Sequence, residues 1–127
     1  MSPTSVLDSS ALLAWVKAEP GQDRVHAALA RGASMSAVNW AEVLTKYLEA
    51  GSDPDDLTAR LTRQGVLGVM LAVHPLEERD AAEIARLRPL TRAAGLSLGD
   101  RACLALARSL RLPALTADKT WSKLAVG

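Results

Sequence analysis

Residues 4–16 read TSVLDSSALLAWV, a short apolar segment that passes through an acidic residue into an apolar helix. Residues 4–7 are short and apolar enough to form a buried strand that ends at Asp8. Ser9 or Ser10 can then cap the helix, because serine is a favoured N-cap residue. A strand that leads directly into a helix is typical of a parallel α/β sheet.

The same alternation continues along the chain. The apolar pattern predicts further helices over 23–31, 37–49, 53–63, 77–87 and 98–110, and strands over 33–35, 69–73 and 114–117. Pro89 cannot continue the helix that precedes it. These elements predict an α/β fold with a central parallel sheet, whose functional crevice lies outside the carboxyl ends of the strands. Asp8 and Asp118 stand at two such ends.

Composition indicates one domain over residues 1–127, since 49% of the residues are hydrophobic and no repeat or linker interrupts the chain. The apolar run 66–73 is far shorter than the roughly 20 residues of a membrane span, so no membrane partner is expected. The N-terminus has no secretory pattern. The single cysteine, Cys103, cannot form an internal disulfide, and a reduced cytoplasmic setting is expected.

The net charge of +1 argues neither for nor against nucleic acid. Charge is unevenly distributed, however, because most of the basic excess follows Glu77. Without the four acidic residues considered next, 15 basic residues face ten acids. Such positive charge around a metal-neutralised acidic centre would attract a polyanion.

Four acidic residues are candidate metal ligands. Asp8, Asp100 and Asp118 stand where an apolar segment meets a following helix, and Glu42 lies inside the helix predicted over 37–49. Carboxylates that are distant in sequence but converge in space form the hard-oxygen ligand set preferred by Mg²⁺ or Mn²⁺.

Two of these acids also have local explanations. Asp8 can cap the first helix, although the serines after it can do so too. Asp100 can form a capping box with Ser97, which needs no metal. A helix N-terminus nevertheless keeps a carboxylate ionised and able to bind a cation.

The other two acids have local explanations as well. Asp118 can cap a short turn over 119–124, with Thr116 orienting it from two residues before. Glu42 and Lys46 form an i,i+4 pair of the kind that weakly stabilises an exposed helix face. Taken alone, Glu42 has the pattern of a surface residue.

Four short motifs occur in one order along the chain. They are Asp-Ser-Ser-Ala-Leu at 8–12, Asn-x-x-Glu at 39–42, Leu-Ser-Leu-Gly-Asp-Arg-Ala-Cys-Leu-Ala-Leu-Ala at 96–107, and Leu-Thr-Ala-Asp-Lys-Thr-Trp at 115–121. In these motifs the chain resembles the PIN domain, and most of all the toxin ribonucleases of VapBC-type toxin–antitoxin pairs. The resemblance extends from Val6 to Trp121.

The resemblance implies a Rossmann-like, three-layer PIN fold, with a short-stranded parallel sheet between helices. It assigns metal binding and catalysis to Asp8, Glu42, Asp100 and Asp118, with Mg²⁺ or Mn²⁺ as cofactor. Supporting roles fall to the polar residues Ser9, Asn39 and Thr116. It also implies a homodimer, inhibition by a VapB-type antitoxin, and RNA hydrolysis that leaves a 5′-phosphate and a 3′-hydroxyl.

Several other residues carry weaker signals. Arg101 and Lys119 directly follow candidate acids and are the predicted phosphate contacts. His26, on a helix among alanines, and His74, before a proline, have the pattern of structural residues. Cys103 has the pattern of a small core residue.

Two other functions are compatible with parts of this pattern. The chain could be a phosphatase or phosphotransfer domain that uses Asp8 as a nucleophile, although Ser10 stands where a haloacid-dehalogenase-like enzyme has its second acid. It could also be a non-catalytic module whose acids only cap helices while the helices bind another chain. A ribonuclease-H-like fold is less compatible, because it opens with successive antiparallel strands.

Overall fold

The computed structural model describes residues 3–118 and shows strands alternating with helices throughout that range. In chain order the elements are β1 (Ser5–Leu7), α1 (Ser9–Val16), α2 (Gln22–Arg31), β2 (Ala33–Ser36), α3 (Ala37–Glu49), α4 (Pro54–Arg63), β3 (Leu71–His74), α5 (Asp80–Arg86), α6 (Arg88–Thr91), α7 (Leu98–Leu110) and β4 (Ala114–Leu115).

The four strands form one parallel sheet in the order β3-β2-β1-β4. β1 therefore lies inside the sheet, where Val6 pairs with Ser34 of β2 on one side and with Ala114 of β4 on the other. Because the strands are parallel, the segments that follow β1 and β4 leave the sheet at the same edge. That edge carries the first and last candidate acids.

Successive side chains of a strand point to opposite faces of a sheet, so each face has its own core. Leu7 belongs to the core formed with α1 to α4, where Met35 and Leu29 are also buried. Val6 belongs to the core formed with α5 and α7, around Cys103 and Leu87. This arrangement confirms the predicted α/β fold, with short parallel strands between two layers of helices. No helix within residues 3–118 is long and apolar enough to span a membrane.

Three predicted boundaries are wrong. The third strand begins at Leu71 rather than at 69, because residues 66–70 form a turn in which the Met70 amide donates to the Val66 carbonyl at 3.0 Å. Val69 is 70% exposed in this turn. The fifth helix begins at Asp80 rather than at 77, and the last strand ends at Leu115 rather than at 117.

A short helix after α5 was not predicted. α6 begins at Arg88 and contains Pro89 in its first turn. Proline is tolerated there because the first amides of a helix have no intrahelical partner. The proline therefore interrupts one helix and begins another.

Candidate active site

Asp8 is the most buried of the candidate acids, with 2% of its surface exposed. It follows β1 and is itself the N-cap of α1, so the prediction that Ser9 or Ser10 caps this helix is wrong. Its Oδ1 accepts hydrogen bonds from the Ala11 amide and from the Ser10 hydroxyl, each at 2.8 Å. Oδ2 accepts a short hydrogen bond from the Thr116 hydroxyl. Three donors therefore fix both carboxylate oxygens.

Thr116 connects Asp8 to the segment after β4. Its Oγ1 donates to Asp8 and accepts from the Asp118 amide at 2.9 Å. The neighbouring Ala117 amide donates to the Ser10 hydroxyl at 3.0 Å. These bonds draw the chain away from β1 pairing directly after Leu115, which explains the early end of β4. They also place the Asp118 backbone beside the Asp8 site.

Glu42 is half-buried, and a residue of its own helix holds its carboxylate in place. The Asn39 side-chain amide, one turn earlier on α3, donates to Glu42 Oε1 at 2.9 Å and to the Gly99 carbonyl at 3.0 Å. Asn39 is fully buried, so it joins α3 to the first turn of α7 away from solvent. Lys46 lies 3.7 Å from Glu49, a different partner from the Glu42 suggested by sequence spacing.

Gly99 explains how α7 comes so close to Glu42. A Cβ atom at position 99 would lie 2.7 Å from both Cδ and Oε1 of Glu42, closer than real Cβ atoms come to any neighbour. Only glycine leaves room for the carboxylate against this turn. The sequence analysis did not identify Gly99 as a site residue, although it lies directly before a candidate acid in the third motif.

Asp100 lies in the same turn of α7 and completes the predicted capping box. Its amide donates to the Ser97 hydroxyl at 3.1 Å, and its Oδ2 accepts from the Ser97 amide at 2.9 Å. The capping bond occupies one carboxylate oxygen and fixes the direction of the group.

Electrostatic effects indicate that Asp8, Glu42 and Asp100 lie in the same region as Cys103. Burial raises the pKa of Asp8, hydrogen bonds from Thr116, Ala11 and Ser10 lower it, and the charge of Asp100 raises it again. Burial also raises the pKa of the Cys103 thiol, and the carboxylates of Asp8, Asp100 and Glu42 raise it further. These charges act on one another only because α3, α7 and the end of β1 meet here.

The donor set fits a hydrated hard cation. Within residues 3–118, no three acidic, histidine or cysteine side chains are close enough to ligate one ion together. Mg²⁺, however, keeps several waters and takes only one or two carboxylates directly. A buried oxygen acceptor, Asn39 Oδ1, also has no hydrogen-bond partner in the described structure.

The remaining predicted residues lie in different places. Arg101 is directed toward α5, where its guanidinium donates to the Ile84 carbonyl at 3.1 Å, so its predicted phosphate contact would require that bond to open. Lys119 lies outside the described residues. Ser9 lines an open cavity of about 580 Å³ between α1 and α3, which Glu42 also lines.

The two histidines have structural partners outside the group of acids. His26 accepts a hydrogen bond from the Trp15 indole at 3.3 Å, and His74 lies 3.0 Å from the hydroxyl of the fully buried Ser34. Ser10 was missed as a site residue because it was treated only as a cap. Its position two residues after Asp8 is the signal that identifies it, since a helix start directs both side chains to the same turn.

The fold and these contacts define an α/β domain in which acidic residues that are distant in sequence lie near the carboxyl edge of the parallel sheet, where β1 ends and α3 meets α7. The chain belongs to the PIN domain family, whose model matches residues 5–127. No curated protein sequence is significantly similar to the chain. The resemblance seen in the four motifs is therefore confirmed at the level of the family.

Solved structures share the fold at low sequence identity. VapC20 of Mycobacterium tuberculosis, a toxin that cleaves the sarcin-ricin loop, superposes with a TM-score of 0.71 at 14% identity, covering 96% of this chain and 97% of that one. FitAcB of Neisseria gonorrhoeae gives 0.68 at 21% identity, covering 92% and 89%. A toxin–antitoxin complex from Klebsiella pneumoniae gives 0.67 at 18% identity, covering 94% and 92%. At these identities the likeness concerns the fold.

Proposed function

We propose that the chain is a metal-dependent endoribonuclease that acts in the cytoplasm as the toxin of a toxin–antitoxin pair. The observation that carries this proposal is that Asp8, Glu42 and Asp100, which are distant in sequence, lie in one region of a PIN fold, where α3 and α7 meet the end of β1. Membership of the PIN family and the toxin–antitoxin neighbours support the same function.

The proposed metal ligands are Asp8, Glu42, Asp100 and Asp118, and the proposed ion is Mg²⁺ or Mn²⁺. When bound, such an ion supplies a water of lowered pKa and neutralises charge on the phosphoryl oxygens. The chain supplies the positions of the oxygens. Asp8 is fixed by its three donors, Asp100 by its capping bond, and Glu42 by its bond from Asn39.

Pre-arranged carboxylates lower the cost of assembling the reactive geometry. The Asp8 pKa also favours a cation, because a carboxylate whose ionised form is destabilised by burial and by Asp100 gains from a positive neighbour. The proposed products are a 5′-phosphate and a 3′-hydroxyl, and no side chain acts as a nucleophile.

Phosphotransfer through Asp8 is less compatible with the site than metal-dependent hydrolysis. Ser10 stands where a haloacid-dehalogenase-like enzyme has its second acid, and its hydroxyl donates to Asp8 Oδ1 at 2.8 Å. A non-catalytic module remains the competing proposal, and it predicts that no acid matters for RNA.

The test is RNA cleavage by the full chain in Mg²⁺ or Mn²⁺, with and without chelator. We expect cleavage to be lost in chelator and to fall by at least about a hundredfold in Asp8→Asn and in Asp100→Asn. Asp55→Asn is the matched control, because Asp55 lies exposed in the first turn of α4, where its amide is capped by Asp53. Cleavage that persists in chelator, or that falls equally in the control, would contradict the proposal.

We also propose a VapB-type antitoxin and a second copy of this chain as partners. Both come from the family resemblance and from neighbours described as toxin–antitoxin complexes. Co-expression with the product of the adjacent gene should suppress both growth inhibition and RNA cleavage. Light scattering of the purified full chain should give twice the mass of one chain, and a monomer mass would refute the dimer.

A further inference from the structure

Two adjoining cavities form a groove between α2 and β4 that leads to the candidate site. One has a volume of about 410 Å³ and lies between α2 and the strands near Thr4 and Pro113. The other has a volume of about 300 Å³ and reaches Thr116 and Ala117. Arg24 and Leu115 line both cavities, so the two cavities adjoin the same residues. We call this surface the α2–β4 groove.

The inner end of the groove adjoins the proposed catalytic acids. Thr116 lines the groove and also donates a hydrogen bond to Asp8. A chain lying in the groove therefore ends beside the carboxylate that the proposed reaction uses. The position of the groove suits a segment of substrate that flanks the reacting phosphate.

The groove carries positive charge without compensation. Arg24 and Arg31 line it from α2, and within the described part of the chain no acidic residue lines either cavity. Among residues 3–118, neither arginine has a hydrogen bond or an ion pair through its side chain. Asp23 is the acid next to Arg24 along α2, and it lines neither cavity. An anionic ligand would find both guanidinium groups available.

The spacing of the arginines favours a strand over a small anion. Seven residues separate Arg24 from Arg31, which corresponds to about 10 Å along a helix and to roughly the same face. At that separation the two guanidinium groups can contact successive phosphates of an extended strand. The floor between them is small and apolar at Ala28 and Leu115, which leaves room for a base to pack.

We propose that the α2–β4 groove binds single-stranded RNA on one side of the scissile phosphate, with Arg24 and Arg31 contacting backbone phosphates. This inference rests on the proposed ribonuclease function and adds the form of the substrate and the surface that holds it. A groove of this size admits one strand. A duplex would lie across it and contact one rim.

The test measures binding and cleavage separately in the full chain. A labelled oligoribonucleotide of about 12 nucleotides, single-stranded or annealed to its complement, is bound in chelator and then cleaved in Mn²⁺. In Arg24→Gln/Arg31→Gln we expect single-strand binding to weaken about tenfold at moderate salt. The slope of log affinity against log salt should fall by about 1.4, or 0.7 for each lost phosphate contact.

Cleavage by this variant should change mainly in KM. Arg24→Lys/Arg31→Lys should retain most of the salt slope, because it keeps the charges. Arg60→Gln/Arg63→Gln is the control of equal charge change, since these residues belong to α4 and line neither cavity. It should bind like the wild type.

The outcomes separate the two proposals. If the wild type cleaves RNA but the Arg24/Arg31 variant keeps its affinity and salt slope, the groove proposal is overturned and the ribonuclease function stands. Equal losses in the α4 control, or duplex binding with the same dependence on Arg24 and Arg31, would also overturn it. A loss of antitoxin binding with unchanged RNA binding would assign the groove to a protein partner instead. A wild type that cleaves no RNA would refute the ribonuclease function itself.

Discussion

Alanine at position 99 would place a methyl carbon 2.7 Å from Cδ and Oε1 of Glu42. Carbon atoms that are not bonded pack at about 3.5–4.0 Å, so the carboxylate must move by about 1 Å. Its hydrogen bond from Asn39 is 2.9 Å long and cannot survive that shift in full. Gly99→Ala therefore displaces Glu42 without changing its chemical identity.

The expected effect on stability is small. Alanine is preferred over glycine inside a helix by up to about 1 kcal/mol. The lost hydrogen bond costs about 1–2 kcal/mol, in the opposite direction. The Glu42 carboxylate ends a flexible side chain that is only half-buried, so it can swing away without disturbing the core. We expect the free energy of unfolding to change by less than about 2 kcal/mol.

The expected effect on cleavage is large. Misplacing a catalytic group by about 1 Å can reduce a rate about a hundredfold, and disturbing the supports of metal ligands typically costs 10–100-fold. The assay compares initial rates of RNA cleavage in Mn²⁺ at equal concentrations of folded protein, with urea unfolding measured in parallel. Calorimetric titration with Mn²⁺ gives a readout that does not require cleavage.

A double-mutant cycle isolates the cause. Glu42→Ala removes the group with which the new methyl collides, so Gly99→Ala should have almost no further effect in that background. An equal loss with and without Glu42 would show that position 99 acts through something other than this carboxylate. Full activity of Gly99→Ala alone would refute the role of Glu42 at the site.

Three further predictions concern the surroundings of Asp8. Thr116→Val removes the hydroxyl that donates to Asp8 and accepts from the Asp118 amide, so we expect cleavage to fall about 10–100-fold with an unchanged circular dichroism spectrum; a normal rate would contradict this. Burial raises the pKa of Asp8, so in chelator its contribution to stability is complete below the unfolded value of 3.8 and is lost as pH rises through the folded pKa. Asp8→Asn should therefore gain stability relative to the wild type as the pH rises above 3.8 in urea titrations, and a difference independent of pH would disprove the assignment. The Cys103 thiol, whose pKa is raised by burial and by three carboxylates, should react with iodoacetamide at least about tenfold more slowly in the native chain than in guanidinium chloride. Equal rates would place Cys103 in contact with solvent.

The sequence predicts the order of the elements well because its local signals agree. Apolar spacing and strong breaking residues identify α3, α4 and α7 within a residue or two. The predicted start of the third strand was two residues too early, because an apolar run does not reveal where a turn ends and a strand begins. The bond from the Ala117 amide to the distant Ser10 hydroxyl and the Thr116–Asp8 bond shorten β4, and no local pattern shows them.

Glu42 shows most clearly what a single sequence leaves out. Its spacing to Lys46 fits a solvated face, yet Asn39 and Gly99 hold its carboxylate between α3 and α7. These contacts join residues that are almost sixty positions apart. The motif order suggested the role of Glu42, whereas helical periodicity alone would have placed it on the surface.

Capping and metal binding are compatible for the two most ordered acids. Asp8 is the N-cap of α1, and Asp100 is the reciprocal member of the capping box whose N-cap is Ser97. Asp8 accepts its capping bond with Oδ1 and the Thr116 bond with Oδ2, and Asp100 accepts from the Ser97 amide with Oδ2. A capping bond fixes the rotamer of a short side chain, which reduces the entropy lost when a ligand binds. The capping bonds therefore fix these carboxylates in positions from which they could bind a cation. For Asp8 and Asp100, helix capping and the proposed metal binding are compatible roles of the same side chain.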